Sequence, residues 1–295
     1  MQEISKPNQG KRILITGATN GIGLATAREL ARQRAEVIIV SRGQDHCATA
    51  VEQIKKQTGN DEVKYLVADL SSQQSIRQLV NDFKKQYQRL DVLINNVGLV
   101  FMRRQESVDG IELTLALNHL SFFLLTELLL ETLIASDQAR IVNVPSSGHL
   151  NGKINFDDIE GKKHYSGVSA YDQSKLANIM VTYELSRRLQ GTSVTANCLH
   201  PGLVATNFGV NNGGFYRHVL RPLLNPFSAS PEKGVETSIY LASNPEVEGV
   251  TGKYFGKKQP IASSKASYDE ANWKRLWEVS KELTGLDKDP SVIHS

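Results

Sequence analysis

The sequence predicts a single-domain α/β protein built on a doubly wound parallel β-sheet with helices on both faces. Short runs rich in Val, Ile and Leu alternate with longer amphipathic runs along most of the chain. The short runs are almost continuously apolar, as expected of parallel strands buried on both faces. A chain of 295 residues with 40% hydrophobic content can enclose one large core, and right-handed crossovers make a doubly wound sheet the simplest topology.

The individual elements follow from this alternation, which no internal repeat or linker interrupts. One domain is therefore predicted over residues 1–295, with a core at about 11–256 and a C-terminal extension at 257–295. Predicted strands occupy residues 12–15, 36–40, 63–67, 92–95, 141–144 and 193–199. Predicted helices occupy residues 23–34, 47–57, 74–87, 111–134, 171–189, 231–242 and 272–286. Residues 207–231 are predicted to form a long loop or two short helices, and such loops are often lids or binding elements.

The composition argues against several classes of protein. A net charge of +3 is too small for the basic footprint of a nucleic-acid-binding protein. Cys47 and Cys198 lie far apart without metal-ligand spacing, which is typical of core thiols in a reducing compartment. Residues 1–12 contain no apolar run fit for a signal peptide or an anchor, and the longest apolar stretch, 122–134, is too short to span a bilayer. We therefore predict a soluble cytoplasmic protein without an integral membrane segment.

A glycine-rich turn lies where the first predicted strand passes into the first predicted helix. Its sequence, TGATNGIG at residues 16–23, has the spacing GxxxGxG instead of the GxGxxG of the standard dinucleotide fingerprint. Glycines allow the backbone to turn tightly and to approach a pyrophosphate at the helix N-terminus. A plain strand-to-helix turn is the alternative, but the context favours a Rossmann-type dinucleotide site. The predicted cofactor-binding residues of this turn are Gly17, Thr19, Asn20, Gly21, Ile22 and Gly23.

The residues after the second and third strands bear on which cofactor is bound. NAD sites usually place an acid after the second strand, but Ser41 and Arg42 stand there. A guanidinium suits a 2′-phosphate, so NADP(H) is predicted over NAD(H), with a solvated arginine as the alternative. Asp69 and Leu70 close the third strand, where a carboxylate could meet the adenine amino group. A turn or cap aspartate is the alternative for Asp69.

Tyr171 and Lys175 form a YxxxK pair in a run predicted to be helical. Helical spacing places the two side chains one turn apart on the same face. An ammonium beside a phenol favours the phenolate and lowers the tyrosine pKa, as required of a proton donor to a carbonyl. The motif also occurs by chance on ordinary exposed helix faces.

Taken together, these motifs resemble the short-chain dehydrogenase/reductase family from about residue 11 to 255. Their order matches throughout: the turn at 16–23, Asn95-Asn96-Val97-Gly98, Ser146, Tyr171 with Lys175, and Pro201-Gly202 with Thr206. The stretches TLALNHLSFFLLT at 114–126, RIVNV at 140–144 and YDQSKLAN at 171–178 resemble its retinol-dehydrogenase-like branch.

The resemblance implies a role for each matching position. Tyr171 would be the acid/base, Lys175 would lower its pKa and hold the nicotinamide ribose, and Ser146 would hydrogen-bond the substrate oxygen. Asn118 would keep a water that links Lys175 to solvent, although a satisfied buried amide is the alternative for such a residue. The remaining implied cofactor-binding residues are Asn96, Val97, Gly98, Pro201, Gly202, Val204 and Thr206.

Two positions depart from the family pattern. Pro145 stands where the family normally has serine, and it removes a backbone donor beside Ser146. Ser147 competes with Ser146 for the catalytic position, and the alignment of RIVNV favours Ser146. Val97 replaces the usual alanine and would either crowd the adenine side or fill the core. His149, His164 and His200 lie near the predicted site without metal-ligand spacing, so no metal is predicted.

Two segments are predicted to wall the substrate pocket: 148–170, which is longer than in the smallest family members, and 207–231. The apolar residues offered for the walls are Leu150, Ile154, Phe156, Tyr165, Val168, Phe208, Phe215, Tyr216 and Val219. An apolar pocket suits a lipophilic aldehyde or ketone, and packing of the loops onto the sheet is the alternative.

The sequence thus predicts an NADP(H)-dependent oxidoreductase that interconverts a lipophilic carbonyl and an alcohol, with reduction as the favoured direction. Two alternatives are an NADPH-binding regulatory or scaffold protein without turnover and a C=C reductase like the light-dependent protochlorophyllide reductases. Helices at 113–133 and 176–189 would form either the family's usual homodimer surface or the monomer core. The C-terminal helix with Trp273 and Trp277 would cap the pocket or a partner surface.

Overall fold

A computed structural model describes residues 8–202 and 234–288 of the chain. These residues form a sheet of eight strands in the order β3-β2-β1-β4-β5-β6-β7-β8. The strands are β1 Arg12–Thr16, β2 Glu36–Ser41, β3 Val63–Val67, β4 Val92–Asn95, β5 Arg140–Asn143, β6 Thr195–Leu199, β7 Tyr254–Gly256 and β8 Gln259–Pro260. All neighbours pair in parallel except β7 and β8. The parallel doubly wound sheet predicted from the sequence is confirmed.

Helices cover both faces of the sheet. They are α1 Gly21–Arg32, α2 Gln44–Thr58, α3 Gln73–Gln86, α4 Leu113–Ile134, α5 Gly167–Arg188, α6 Glu236–Ser243 and α7 Glu270–Thr284. One core layer contains Leu30, Ile54 and Leu241 from α1, α2 and α6. The other contains Phe83, Phe123, Met180 and Trp277 from α3, α4, α5 and α7. Each helix buries an apolar stripe against a sheet that is itself apolar on both sides.

The strand order reverses between β1 and β4, and this reversal opens a crevice at the carboxyl ends of the strands. Ligands of doubly wound sheets bind at such a switch point. Thr16, at the end of β1, bridges the crevice: its Oγ1 accepts hydrogen bonds from the backbone N–H groups of Asn96 (2.9 Å) and Val97 (3.2 Å). The segments that follow β1 and β4 are therefore held together before any ligand arrives.

The observed elements differ from the predicted ones mainly at their ends. α1 begins at Gly21 instead of residue 23, and α5 begins at Gly167 instead of residue 171. The sequence patterns did not reveal β7 and β8, which are three and two residues long, because so short a strand shows no readable periodicity. The predicted segment at 207–231 lies outside the described residues.

Helix α4 carries a π-helical turn at Ala116–Leu120, in which every residue is buried. The whole helix has 22 residues and is long and apolar enough by length and composition to cross a membrane. The predicted stretch at 122–134, taken as too short to span a bilayer, covers only part of it. However, 78% of its most apolar window is buried inside the fold, as expected of a core helix. Single π turns of this kind are frequent at functional sites, and this one contains Asn118.

The C-terminal helix α7 packs on the faces of α4 and α5 that we considered for dimerisation. The Trp277 ring lies edge-on to Phe123 of α4 at 4.9 Å and beneath the guanidinium of Arg188 of α5 at 4.4 Å. Ser280 reaches the π turn, where its Oγ lies 2.9 Å from His119 Nε2. This part of the surface is therefore occupied by the chain itself, and a homodimer that used it would have to displace α7.

Candidate active site

The glycine turn is shaped by close backbone contacts that only glycine permits. Gly17 has a φ of +65°, in the left-handed region that side chains disfavour. A Cβ on Gly23 would overlap the carbonyl oxygen of Gly17 and lie 2.7 Å from Asn96 Nδ2. Asn96 Nδ2 in turn donates to the carbonyl oxygens of Thr16 at 2.9 Å and Gly17 at 3.3 Å. The turn, the start of α1 and the segment after β4 thus form one interlocked unit.

The start of α1 leaves its first N–H groups without a side-chain cap. Asn20 occupies the cap position in an extended conformation, but its side chain makes no capping hydrogen bond. Uncapped N–H groups at a helix N-terminus attract anions. Together with the glycine contacts, this suits the pyrophosphate of a dinucleotide.

Ser41 and Arg42 lie beside the glycine turn at the same edge of the sheet. Gly17 N–H donates to the Val40 carbonyl at 2.9 Å, and Thr19 Oγ1 donates a long hydrogen bond of 3.4 Å to Ser41 Oγ. Ser41 is half-buried and Arg42 is exposed. Arg42, whose guanidinium is predicted to meet a 2′-phosphate, therefore comes directly after the strand that contacts the glycine turn.

Asp69 organises its own turn. The exposed carboxylate accepts hydrogen bonds through Oδ1 from the Ser71 N–H at 2.9 Å and from Ser71 Oγ at 2.7 Å. This is the turn role that we gave as its alternative, and it does not by itself require an adenine. The neighbouring Leu70 is buried in the core.

Tyr171 and Lys175 lie one turn apart near the start of α5, as the YxxxK spacing predicts. Lys175 Nζ lies 5.4 Å from the centre of the Tyr171 ring and 5.8 Å from that of Phe122. The lysine is only 2% exposed, and burial lowers its pKa to about 7. Burial is the only cause acting on that pKa, so no carboxylate of the described residues offsets the charge. An isolated buried ammonium of this kind is costly and marks a functional position.

The backbone at Gly98 passes directly over this ammonium. A Cβ on Gly98 would lie 2.7 Å from Lys175 Nζ and 3.8 Å from Asn118 Oδ1. Val97, which precedes Gly98, faces the glycine turn, since its Cα would lie 3.1 Å from a Cβ on Gly17. The uncapped start of α1 and the close glycine contacts at one end, and the buried ammonium at the other, fit a dinucleotide cofactor.

Asn118 uses its side chain to hold the segment after β4. Its Oδ1 accepts from the Leu99 N–H at 2.9 Å, and its Nδ2 donates to the Leu99 carbonyl at 2.8 Å and to Ser174 Oγ at 3.1 Å. Its backbone carbonyl accepts from Asn178 Nδ2 at 2.8 Å. The buried amide is therefore satisfied and positions the backbone next to Gly98, while the water that the resemblance implies stays a prediction.

Ser146 lies just past β5 and caps a 3₁₀ turn at Ser147–Leu150. Its Oγ accepts a hydrogen bond of 3.2 Å from the Gly148 N–H. Ser146 is half-buried, whereas Ser147 is exposed. A Cβ on Gly148 would lie 3.3 Å from Tyr171 Cε1, so the turn lies directly against the tyrosine. Pro145 is buried. The hydrogen bond that holds the serine hydroxyl comes from Gly148, which follows it in the chain. The sequence patterns did not single out Gly148.

Pro201 and Gly202 follow β6 at the same end of the sheet. Gly202 N–H donates to His200 Nδ1 at 3.2 Å, and its φ of +81° lies in the left-handed region that favours glycine. The predicted residues Val204 and Thr206 lie outside the described residues, as do Phe208, Phe215, Tyr216 and Val219.

The pocket-wall residues that the structure describes fall into two groups. Ile154 and Phe156 pack against the core, and Arg275 lies over the Phe156 ring at 4.1 Å. Tyr165 donates to the Phe101 carbonyl at 2.7 Å and thereby fixes its own segment to the chain at Phe101. Leu150 and Val168, in contrast, are 62% and 54% exposed, and Met102, which was not among the predicted pocket residues, is 49% exposed. Gly167, beside Val168, packs on the Met102 backbone, and Leu150 ends the turn that follows Ser146; we call these three exposed apolar side chains the apolar rim.

Known proteins resemble this chain over most of its length. A family model described as short chain dehydrogenase matches residues 11–213. Human retinol dehydrogenase 14 is 41% identical over 301 residues, which cover 95% of this chain and 88% of that protein. Human retinol dehydrogenase 13 is 41% identical over 288 residues, with 96% and 87% covered. Human polyprenol dehydrogenase is 38% identical over 299 residues, with 97% and 88% covered.

Solved structures share the fold. An uncharacterised protein from Mycobacterium paratuberculosis superposes with a TM-score of 0.76 at 31% identity and covers 94% of each chain. An NADP active-site complex of RhlG from Pseudomonas aeruginosa superposes with a TM-score of 0.68 at 25% identity, covering 85% of this chain and 96% of that one.

Proposed function

The chain belongs to the short-chain dehydrogenase family, in its retinol-dehydrogenase-like branch, and we propose that it reduces a lipophilic aldehyde or ketone with NADPH. The observation that carries this proposal is the buried Lys175 ammonium, one turn from Tyr171 and directly beneath Gly98. An ammonium there serves no structural purpose that the described residues reveal, but an ammonium beside a phenol favours the phenolate that proton donation leaves behind.

The residues of the chain handle the proton and the developing charge, while a bound nicotinamide cofactor supplies the hydride. Tyr171 gives its phenolic proton to the carbonyl oxygen, and Lys175 stabilises the phenolate that remains. Ser146 donates a hydrogen bond to the same oxygen as negative charge builds on it. Asn118 keeps the backbone of Leu99 in place, so that Gly98 stays in contact with the lysine.

The apolar rim of Met102, Leu150 and Val168 supports a lipophilic substrate. Exposed apolar side chains grouped at a site mark a binding surface more often than scattered ones do. The curated relatives named for retinol and polyprenol dehydrogenation are consistent with this chemistry. NADPH consumption against a panel of lipophilic aldehydes, ketones and quinones, run beside NADH, tests the proposal. NADPH binding without turnover on any member would favour a regulatory protein.

Replacing Arg42 by aspartate should shift the cofactor preference from NADPH toward NADH. We expect the Kd for NADPH to rise roughly tenfold to a hundredfold, because a charge-assisted hydrogen bond to the phosphate is lost and a repulsion is added. Titration of cofactor fluorescence measures both affinities. Lys56→Asp makes the same change of charge at an exposed position of α2 and should leave both affinities unchanged. Equal effects of the two variants would show that the phosphate is held elsewhere.

Ser146→Ala should lower kcat much more than Ser147→Ala. Loss of a donor to the substrate oxygen typically costs about a hundredfold to a thousandfold, whereas the exposed Ser147 should tolerate alanine within about threefold. Steady-state kinetics on both variants, with thermal unfolding as a check on folding, make the comparison. The reverse order would place the catalytic serine at 147 and would mean that Pro145 shifts the register by one.

A further inference from the structure

His149 donates a side-chain hydrogen bond to the residue that we propose to polarise the substrate. Its Nδ1 lies 2.7 Å from the Ser146 carbonyl oxygen, and its backbone N–H lies 3.3 Å from the same oxygen. Ser146 itself is extended, with φ −170° and ψ 162°. Two donors of His149 thus meet at one carbonyl, while the Gly148 N–H reaches the serine hydroxyl oxygen.

The chemistry of the contact determines which ring nitrogen carries the proton. A carbonyl oxygen only accepts, so Nδ1 must be the protonated nitrogen. A neutral ring protonated at Nδ1 bears a lone pair on Nε2, and burial favours this neutral form by lowering the pKa of His149. The residue is 1% exposed, and Nε2 has no hydrogen-bond partner among the residues that the structure describes.

This arrangement is unfavourable for stability alone. A buried nitrogen without a partner loses its hydration, whereas an apolar side chain of similar size would pack against the Tyr254 ring, 4.8 Å away, without that loss. The imidazole is therefore explained by the one hydrogen bond that its Nδ1 makes. That bond acts on Ser146.

We propose that His149 is a positioning residue for Ser146, which it holds so that the serine hydroxyl points its proton at the substrate oxygen. This inference rests on the role proposed above for Ser146. With Oγ already accepting from the Gly148 N–H, the hydroxyl proton is the group left for the substrate. Pro145 has no N–H to contribute, so the orientation of the serine peptide depends on the residues after it.

The position of this turn matters because it also touches the acid/base. Gly148 packs so closely on α5 that a Cβ there would lie 2.5 Å from Asp172 Oδ1 and 3.3 Å from Tyr171 Cε1. A small rotation of the turn therefore changes the geometry between Ser146 and Tyr171. Displacements near 1 Å can cost about a hundredfold in rate.

The test compares His149→Leu with His149→Asn. The asparagine Nδ2 can occupy the place of the imidazole Nδ1 and donate to Ser146, whereas leucine fills the space without a donor. We expect His149→Leu to lower kcat roughly tenfold to a hundredfold with unchanged NADPH affinity, and His149→Asn to stay within about threefold of wild type. Asn151→Ala, an exposed change two residues later, serves as the matched control and should not alter kcat.

A double variant separates positioning from general stability. In the Ser146→Ala background, His149→Leu should lower kcat no further, because its effect passes through the serine hydroxyl. The inference is overturned if asparagine is as damaging as leucine, if leucine is harmless, or if leucine costs the same factor in both backgrounds. If His149→Leu does not fold, ¹⁵N spectra of the wild-type ring decide, since a proton on Nε2 instead of Nδ1 also overturns it. Full activity of Ser146→Ala would instead refute the role of the serine in the proposed function.

Discussion

Tyr171→Phe should reduce kcat by about a thousandfold or more and leave the Kd for NADPH within about twofold of wild type. The variant removes only the phenolic hydroxyl, so the carbonyl oxygen loses its proton donor while α5 keeps its packing. Lys175, which we propose holds the ribose, remains in place. Steady-state kinetics on any substrate found by the panel, with a cofactor titration on the same samples, measure both quantities.

Tyr183→Phe is the matched control for this variant. Tyr183 lies on the same helix, and its buried hydroxyl hydrogen-bonds Ser263 Oγ at 2.7 Å, away from the proposed site. Its loss should cost about 1 kcal/mol of stability and leave kcat unchanged. Retained turnover in Tyr171→Phe, or an equal loss in both variants, would contradict Tyr171 as the acid/base.

Lys175→Met should abolish most turnover and, in the absence of cofactor, make the protein more stable. Without the ammonium, the proposed stabilisation of the Tyr171 phenolate is lost, and kcat should fall about a hundredfold or more. Methionine fills the same buried space without a charge, so the desolvation cost disappears. A gain on the order of a few kcal/mol in the free energy of unfolding at pH 7 follows from the lowered lysine pKa.

The pH dependence gives this effect a definite sign. The unfolded chain keeps the lysine proton up to about its ordinary pKa of 10.5, whereas the folded chain releases it near 7. Between these values the unfolded state binds more protons, so the stability of the wild type rises with pH across this window. Denaturant unfolding from pH 7 to 10 should show the gap between wild type and Lys175→Met closing as pH rises.

Lys85→Met, at an exposed position of α3, should change neither the stability at pH 7 nor its slope. A constant gap between wild type and Lys175→Met would show that the lysine is not destabilised by burial. A less stable Lys175→Met protein would show that the ammonium is paired in the apo protein.

Much of the nucleotide end could be predicted from the sequence because it depends on local rules. The periodicity of apolar residues located β1 to β4 to within about one residue, and helical spacing alone placed Tyr171 and Lys175 on one face. The positive φ of Gly17 belongs to a turn whose glycine spacing is visible in the chain. Asp69 shows the limit of such rules, since a carboxylate at a strand end suits both a ligand and the turn that it forms with Ser71.

The contacts of the serine turn and the exposure of the apolar rim could not be predicted from the sequence. Gly148 packs against Tyr171 and Asp172, and His149 hydrogen-bonds the Ser146 carbonyl. No short sequence pattern predicts these contacts. The apolar residues of 148–170 looked alike in the sequence, but the fold buries Phe156 under Arg275 and leaves Leu150 exposed. Side-chain identity sets what a residue can bury, whereas the packing of distant segments decides whether it does.

From residue order alone came the first six strands, the glycine turn and the Tyr171–Lys175 pair, since each depends on neighbours within one turn or one strand. Only the tertiary structure determined the pKa values and the hydrogen-bond partners of these residues. It buries Lys175 so that its pKa falls to about 7, and it joins Asn118 to Leu99. It also brings Ser280 of α7 to the π turn from 161 residues away. Desolvation and hydrogen bonding between remote segments arise only when the chain closes around them, because neither exists in any local stretch of sequence.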